Sequence, residues 1–312
     1  MTTTDDDTGA TTPETPAWLP PAAVGVTLVL WASAFVAIRH LADDFSAGPM
    51  ALGRLAIGAV ALGLLAAPRR MPRPQGRQWV SIVVIGVLWY AVYMVALNEG
   101  ETRVDAGTAA LLIQVSPVLV AVLAAVFLAE PFTRQLAAGL ALAFGGVAVI
   151  ALGSGDDGGH SDVLGVVLCL VAAAAYAVSL VVQKPLVARV PALQVTWLAC
   201  SVGAVACLPF APRLVAELGD APTSSVLWLV YLGIFPTAIA FSTFAFALRH
   251  MSASNLGVTT YVVPVITIAL SLLFLGEVPP PLAYAGGALA LVGVAVARRS
   301  SRPARRQVRQ PA

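Results

Sequence analysis

From residue 20 to residue 298 the chain is a succession of apolar runs, each about as long as the hydrocarbon core of a bilayer is thick. Ten can be marked, at roughly 21–39, 46–67, 78–97, 106–128, 135–152, 162–182, 192–211, 225–248, 254–275 and 281–297. A spanning helix needs about 20 apolar residues. The breaks between the runs are short and carry proline, glycine or charge, as in "APRRMPRPQGR" and "GSGDDGGH". In lipid every backbone polar group must be satisfied within the chain, and runs this long and continuous predict helices rather than barrel strands. Composition agrees, because only 11% of the residues are charged, whereas a soluble domain carries about a quarter. The expected fold class is all-α integral membrane, with ten transmembrane helices.

Charge sets the expected orientation. With the N-terminus inside, the inner loops and C-terminal tail hold 14 of the 18 Lys and Arg residues, and the outer loops hold Arg39, Arg103 and Arg213. This asymmetry predicts both termini in the cytoplasm and a multi-pass protein of the inner or plasma membrane. Residues 1–19 are polar and acidic (Asp5, Asp6, Asp7, Glu14) and lack the basic start of a secretory signal, so they read as a disordered cytoplasmic tail. Residues 299–312 read as a basic cytoplasmic tail.

The two halves echo each other. "VSPVLVAVLAAVFLAE" at 115–130 has the layout of "VVPVITIALSLLFLGE" at 262–277, which places Pro117 on Pro264 and Glu130 on Glu277 at a shift of 147 residues. The same shift carries Gly86 to Gly233, Gly139 to Gly286 and Gly146 to Gly293. A shift of 145 lays "LWASAFVAIRHL" over "AYAVSLVVQKPL" and Trp31 over Tyr176. Each copy holds five runs, an odd number, so the second copy is expected upside down relative to the first. The expected division is a first five-helix repeat over 20–153 and an inverted second over 154–298. Inverted repeats with a binding site between them mark secondary transporters.

The paired prolines interrupt apolar runs, and proline removes a backbone donor and crowds the preceding turn. Pro117 and Pro264 therefore predict bent helices, with the carbonyls of Ile113 and Thr260 freed toward a wet cavity. The plainer alternative is a packing kink. Glu130 and Glu277 end their runs before a tight turn, where a carboxylate can cap the helix that follows. A proton-coupling role is the other reading.

Arg54 is the one charge deep within a run, about 12 Å below the outer end of the second helix. A cation at that depth needs a partner or a wet cavity. Glu99, Glu101 and Glu277 are candidate partners, and direct contact with an anionic substrate is the alternative. Trp31, Tyr90, Tyr93, Gln114, Ser116, Tyr176, Ser179, Gln183, Thr237 and Tyr261 are polar or amphipathic side chains well inside the runs. As a set they predict the lining of a substrate cavity. Helices five and ten instead carry closely spaced small residues, Gly139/Ala143, Gly286/Ala290 and Gly293/Ala297, which suit close packing or a homodimer contact.

Other chemistries find no support. Cys169, Cys200 and Cys207 lie in apolar runs without a CxxC, and His40, His160 and His250 are isolated, so no metal site is expected. No phosphate-binding G-x-x-x-x-G-K-[ST] occurs, and the only lysine, Lys184, precedes a proline. No catalytic pair of carboxylates or nucleophile with a base lies at membrane depth, so neither an enzyme nor a cofactor is expected. A net charge of +2 with no basic patch gives no footing for nucleic acid.

The chain resembles the drug/metabolite transporter superfamily, specifically the EamA-like ten-helix exporters. The resemblance is carried by "LWASAFVAIRHL", by "GPMALGRLA" with Arg54, and by "AGTAALLIQVSPVLVAVLAAVFLAE" with "GLALAFGGVAVI". The second-half copies "ASNLGVTTYVVPVITIALSLLFLGE" and "GGALALVGVAV" complete it. One departure is "LAE" at 128–130, where "LGE" is the common form. The resemblance implies inverted five-helix units around a central cavity and outward movement of small metabolites such as amino acids by alternating access. Multidrug efflux and a non-transporting membrane scaffold are the alternatives. The first helix lacks the carboxylate that exchange of protons for cations would call for.

Overall fold

A computed structural model describes residues 15–103, 112–154, 163–275 and 281–299. All regular structure among these residues is helical. In chain order it comprises α1 (Leu19–Leu41), α2 (Ala47–Ala66), α3 (Arg77–Ile85), a π-helical stretch (Gly86–Val92), and α4 (Tyr93–Glu101). Next come α5 (Ser116–Phe127), α6 (Arg134–Ser154), α7 (Val163–Val187), α8 (Ala192–Ala206) and α9 (Ala211–Asp220). A second π-helical stretch (Gly233–Ile239) joins α10 (Thr223–Leu232) to α11 (Ala240–His250). The last are α12 (Ala253–Thr259), α13 (Val263–Leu275) and α14 (Pro281–Arg299).

Each apolar run carries helix. Five helices are long and apolar enough to cross a bilayer: Leu19–Ile38, Ala47–Ala66, Arg77–Gly100, Val163–Val187 and Thr223–His250. A sixth is reached if α8 and α9 count as one span, bent by 50° where Cys207 and Pro209 interrupt the run. Ser116–Phe127 and Tyr284–Ala297 are apolar but shorter.

Glycines set how closely the helices approach. A Cβ on Gly203 would lie 2.4 Å from Tyr90 Cβ and 3.1 Å from the Gly86 carbonyl oxygen, so α8 rests directly on the first π-helical stretch. A Cβ on Gly58 would lie 3.1 Å from the Gly233 carbonyl oxygen, so α2 rests in the same way on the second. Backbones this close gain dispersion contact that larger side chains would prevent. The two π-helical stretches begin 147 residues apart, and Gly58 and Gly203 are 145 apart.

The small residues of helices five and ten face each other within the chain. A Cβ on Gly139 would sit 2.7 Å from the Gly293 carbonyl oxygen, and one on Gly146 would sit 2.5 Å from that of Gly286. Contacts that climb α6 while descending α14 make the pair antiparallel. Of the two expectations for this stripe, close packing is the one realised here.

Both prolines sit at breaks, with a correction to the expected geometry. Pro117 lies in the first turn of α5, after a turn at Gln114 and Val115, where its missing N–H costs nothing. Pro264 opens α13 after a 3₁₀ turn at Thr260–Val262. The carbonyls expected to face water are bonded within the protein. Ser116 Oγ donates to the Ile113 oxygen at 2.6 Å, and the Val263 N–H donates to that of Thr260. Short polar side chains and tight turns resatisfy backbone at proline breaks in lipid.

Candidate functional site

The two breaks face a common space. It is a cavity of about 930 Å³, counting its open mouth, toward the end of the bundle where α1 ends and α2 begins. Its wall takes Trp31, Ala34 and Ile38 from α1, Arg54 from α2, and Trp89, Tyr93, Met94, Leu97 and Asn98 from the third run. The broken helices add Ile113, Gln114, Ser116, Thr260, Val263 and Pro264, and Tyr176 and Phe241 complete the wall.

The floor is aromatic. Trp89 meets Tyr176 edge-on at 5.1 Å between ring centroids and Phe241 at 5.0 Å, while Trp31 packs 5.5 Å from Phe241. Such edge-on contacts place the positive rim of one ring over the negative face of the next and hold the rings in fixed orientations. The Tyr176 hydroxyl is buried and has no hydrogen-bond partner. A buried polar group left unpaired is costly.

Arg54 is the charge in this wall. Its Nε donates to Thr237 Oγ1 at 3.1 Å, and the Thr237 hydroxyl donates onward to the Leu232 carbonyl at 2.8 Å. That carbonyl lies five residues back, at the entry to the second π-helical stretch. The threonine therefore ties the guanidinium to the start of that stretch. None of the anticipated carboxylates pairs with Arg54 among the described residues. Glu99 is taken by Arg103 at 2.8 Å, and the Glu101 side chain and Glu277 lie outside the described residues. No acidic residue lines the described wall.

The candidate residues thus divide. Trp31, Tyr93, Gln114, Ser116, Tyr176, Arg54 and Pro264 line the cavity. Tyr90, Ser179, Gln183, Thr237 and Tyr261 are buried in the helix packing outside its wall. Tyr261 donates to the Gln114 carbonyl at 3.0 Å, and Pro117 is buried where Gly257 of α12 approaches it. Sequence reasoning missed Trp89, Asn98 and Phe241. Trp89 had a signal, four residues before Tyr93 on the same helix face. Asn98 had a weaker one, a polar amide inside the last turn of its run.

At the opposite end of the bundle, Glu130 and Lys184 make polar contacts to the segment that joins α11 to α12. Glu130 accepts from the backbone N–H groups of Ala253 at 2.7 Å and Ser254 at 3.0 Å, and from Ser254 Oγ at 2.7 Å. It caps α12 of the other half rather than the helix that follows it, which is a correction. Ala129 has a left-handed backbone, φ 53°, and turns Glu130 away from α6. Thr133 serves the first turn of α6 instead, accepting from Leu136 N at 3.1 Å. Lys184 Nζ donates to the carbonyls of Leu248, at 2.6 Å, and Met251. The segment joining α11 to α12 is therefore gripped from both sides.

Comparison with known proteins agrees with this architecture. The EamA-like transporter family matches residues 22–152 and again 163–299. A probable terminal-alkyne amino-acid exporter of Streptantibioticus cattleyicolor is 39% identical over 290 residues, covering 93% of this chain and 96% of that protein. The uncharacterized transporter YdfC of Bacillus subtilis is 33% identical, covering 85% and 86% of the two chains. One crystal structure of another protein, 22% identical, shares the fold with a TM-score of 0.73 over 90% of this chain and 98% of its own. With two family matches that together span nearly all of its helices, the chain is a multi-pass membrane transporter that belongs to the EamA-like transporter family.

Proposed function

We propose that the chain is a secondary transporter that exports amino acids or related small metabolites by alternating access, through two inverted five-helix repeats over 20–153 and 154–298. The observation that carries this reading is the cavity. Residues of both halves wall it, and at the far end Glu130 of the first half bonds to Ala253 and Ser254 of the second. That arrangement suits a state open to one side and closed to the other.

Several contacts support the inverted repeat. If residue numbers are exchanged between halves by 147, or by 145 between α2 and α8, then Gly58 on Gly233 becomes Gly203 on Gly86. Gly139 on Gly293 likewise becomes Gly286 on Gly146. Pairs that exchange in this way are what a two-fold axis in the membrane plane would generate. Ten spans, cytoplasmic tails at 1–19 and 299–312, and a place in the plasma membrane follow from the arginine asymmetry. A homodimer through helices five and ten would use their outer faces, with Tyr284, Leu291 and Val292 exposed, because their small residues already pack on each other.

Amino acids are favoured as cargo by the similarity to the S. cattleyicolor exporter. The aromatic wall alone would also suit multidrug efflux, but its charge is Arg54, which opposes cations. Purified protein in liposomes, loaded with unlabelled amino acid, is expected to take up the labelled form by counterflow. Gln114→Ala should reduce that exchange while the protein remains monodisperse. Absence of exchange for every solute of a broad panel would contradict the proposal.

A further inference from the structure

We infer that Arg54 is the carboxylate-binding group of the cavity, and that the cargo is a small carboxylic acid with an apolar, singly functionalised body, α-amino acids included. This rests on the export reading above and names its substrate class.

Arg54 as a whole is 6% exposed, so it has left bulk water. Its Nε is bonded to Thr237, and no other hydrogen bond or ion pair of Arg54 occurs among the described residues. The two terminal nitrogens therefore stand on the cavity wall without a protein partner. A structural anchor explains the Nε bond but leaves this end of the fork unexplained. An arginine with the Nε edge fixed presents its terminal nitrogens as a planar pair, the geometry that grips a carboxylate through two parallel hydrogen bonds. Thr237 is a positioning residue, since its own proton is committed to the Leu232 carbonyl and its lone pair to Arg54.

The rest of the wall limits the remainder of the ligand. Beyond Arg54 the described wall is uncharged. Asn98 uses its amide nitrogen on the Ala47 carbonyl at 3.2 Å, which leaves its oxygen as an acceptor, and Tyr93, Gln114 and Ser116 add neutral polar side chains. These neutral groups and the faces of Trp31 and Trp89 can receive an ammonium group or an apolar body. They cannot neutralise a second carboxylate. A cation without a carboxylate would meet Arg54 with nothing to offset it.

The test uses the full-length protein in liposomes, with leucine and phenylalanine compared against their amides and amino alcohols. The wild type is expected to exchange the acids, while the neutralised analogues compete about 10- to 100-fold more weakly, the loss associated with a charge-assisted pair of bonds. Arg54→Lys keeps the charge but not the fork, and is expected to raise KM for the acids toward the value of the amides and leave KM for the amides little changed. Amides that compete as well as acids in the wild type would overturn the inference and leave the transporter reading intact, and this comparison needs no variant to fold. An equal rise for acids and amides in Arg54→Lys would also overturn it, by assigning Arg54 a purely structural role. If no solute exchanges at all, the export reading fails and the inference fails with it.

Discussion

Tyr261 donates its phenolic hydroxyl to the backbone carbonyl of Gln114 at 3.0 Å, and the two residues are 147 positions apart, the interval at which the chain repeats itself. Each lies at the break of a helix interrupted by proline. The Gln114 carbonyl belongs to the turn before α5 and has no helical partner, so the tyrosine of the other half supplies one. The two broken helices are thereby pinned to each other beside the cavity.

Removing that hydroxyl tests the pin. Tyr261→Phe leaves a buried carbonyl unsatisfied and is expected to lower stability by about 1 kcal/mol, near the ordinary worth of a hydrogen bond in protein or membrane. Thermal unfolding in detergent, followed by intrinsic fluorescence, measures it. An unchanged Tm would mean that the bond does not form.

Neighbouring glycines in α6 should respond in opposite directions. A Cβ on Gly146 would lie 2.4 Å from Ala290 N, so Gly146→Ala must push α14 away, at about 1–3 kcal/mol. Gly145 has nothing within 4 Å of that position, so Gly145→Ala should be neutral or gain up to about 1 kcal/mol of helix propensity. Equal effects of the two substitutions would contradict the antiparallel crossing.

Ala129 occupies a left-handed backbone, and the residue 147 positions on in the second copy is Gly276. An L side chain there costs about 1–2 kcal/mol, offset in part by the greater freedom glycine has when unfolded. Ala129→Gly is expected to stabilise by about 0.5–1 kcal/mol, read as a rise in Tm without change in the substrate profile.

Glu130 and Lys184 hold one short segment, residues 248–254, from opposite sides. Glu130→Ala removes a cap from α12 and should cost about 1–2 kcal/mol. Lys184→Met should cost a similar amount. Because both act on one segment, the double variant should lose less than the sum by more than about 0.5 kcal/mol. Strict additivity would mean that the two grips are independent.

Much of this was legible in the residues. The apolar runs carry helix among the described residues, five of them long and apolar enough to cross a bilayer, and the spacing of 147 reappeared in the two π-helical stretches and in the Tyr261–Gln114 bond. Trp31, Tyr93, Gln114, Ser116 and Tyr176 met at one cavity. The π-helical stretches themselves left no mark in the apolar pattern. They lie where α2 and α8 press glycines against the partner helix, the second also contains Pro236, and with Tyr90 facing α8 Trp89 is left to form the floor of the cavity. The role of proline was ambiguous for a similar reason. A proline in an apolar run fits a kink and a helix start equally well, and Pro117 took the second. Glu130 was misassigned because capping was judged by nearness in sequence, whereas the helix it serves is 123 residues away.

The central claim is that the two halves cross the membrane in opposite senses around one cavity. Gln75, between α2 and α3, and Asp220, the last residue of α9, are 145 residues apart and both exposed, while the native cysteines are buried and give little background. Single cysteines placed there, Gln75→Cys and Asp220→Cys, can be probed in intact cells with a membrane-impermeant maleimide. The account predicts that the cysteine at 220 reacts at once and the one at 75 reacts only after permeabilisation. Labelling of both from the same side would contradict it.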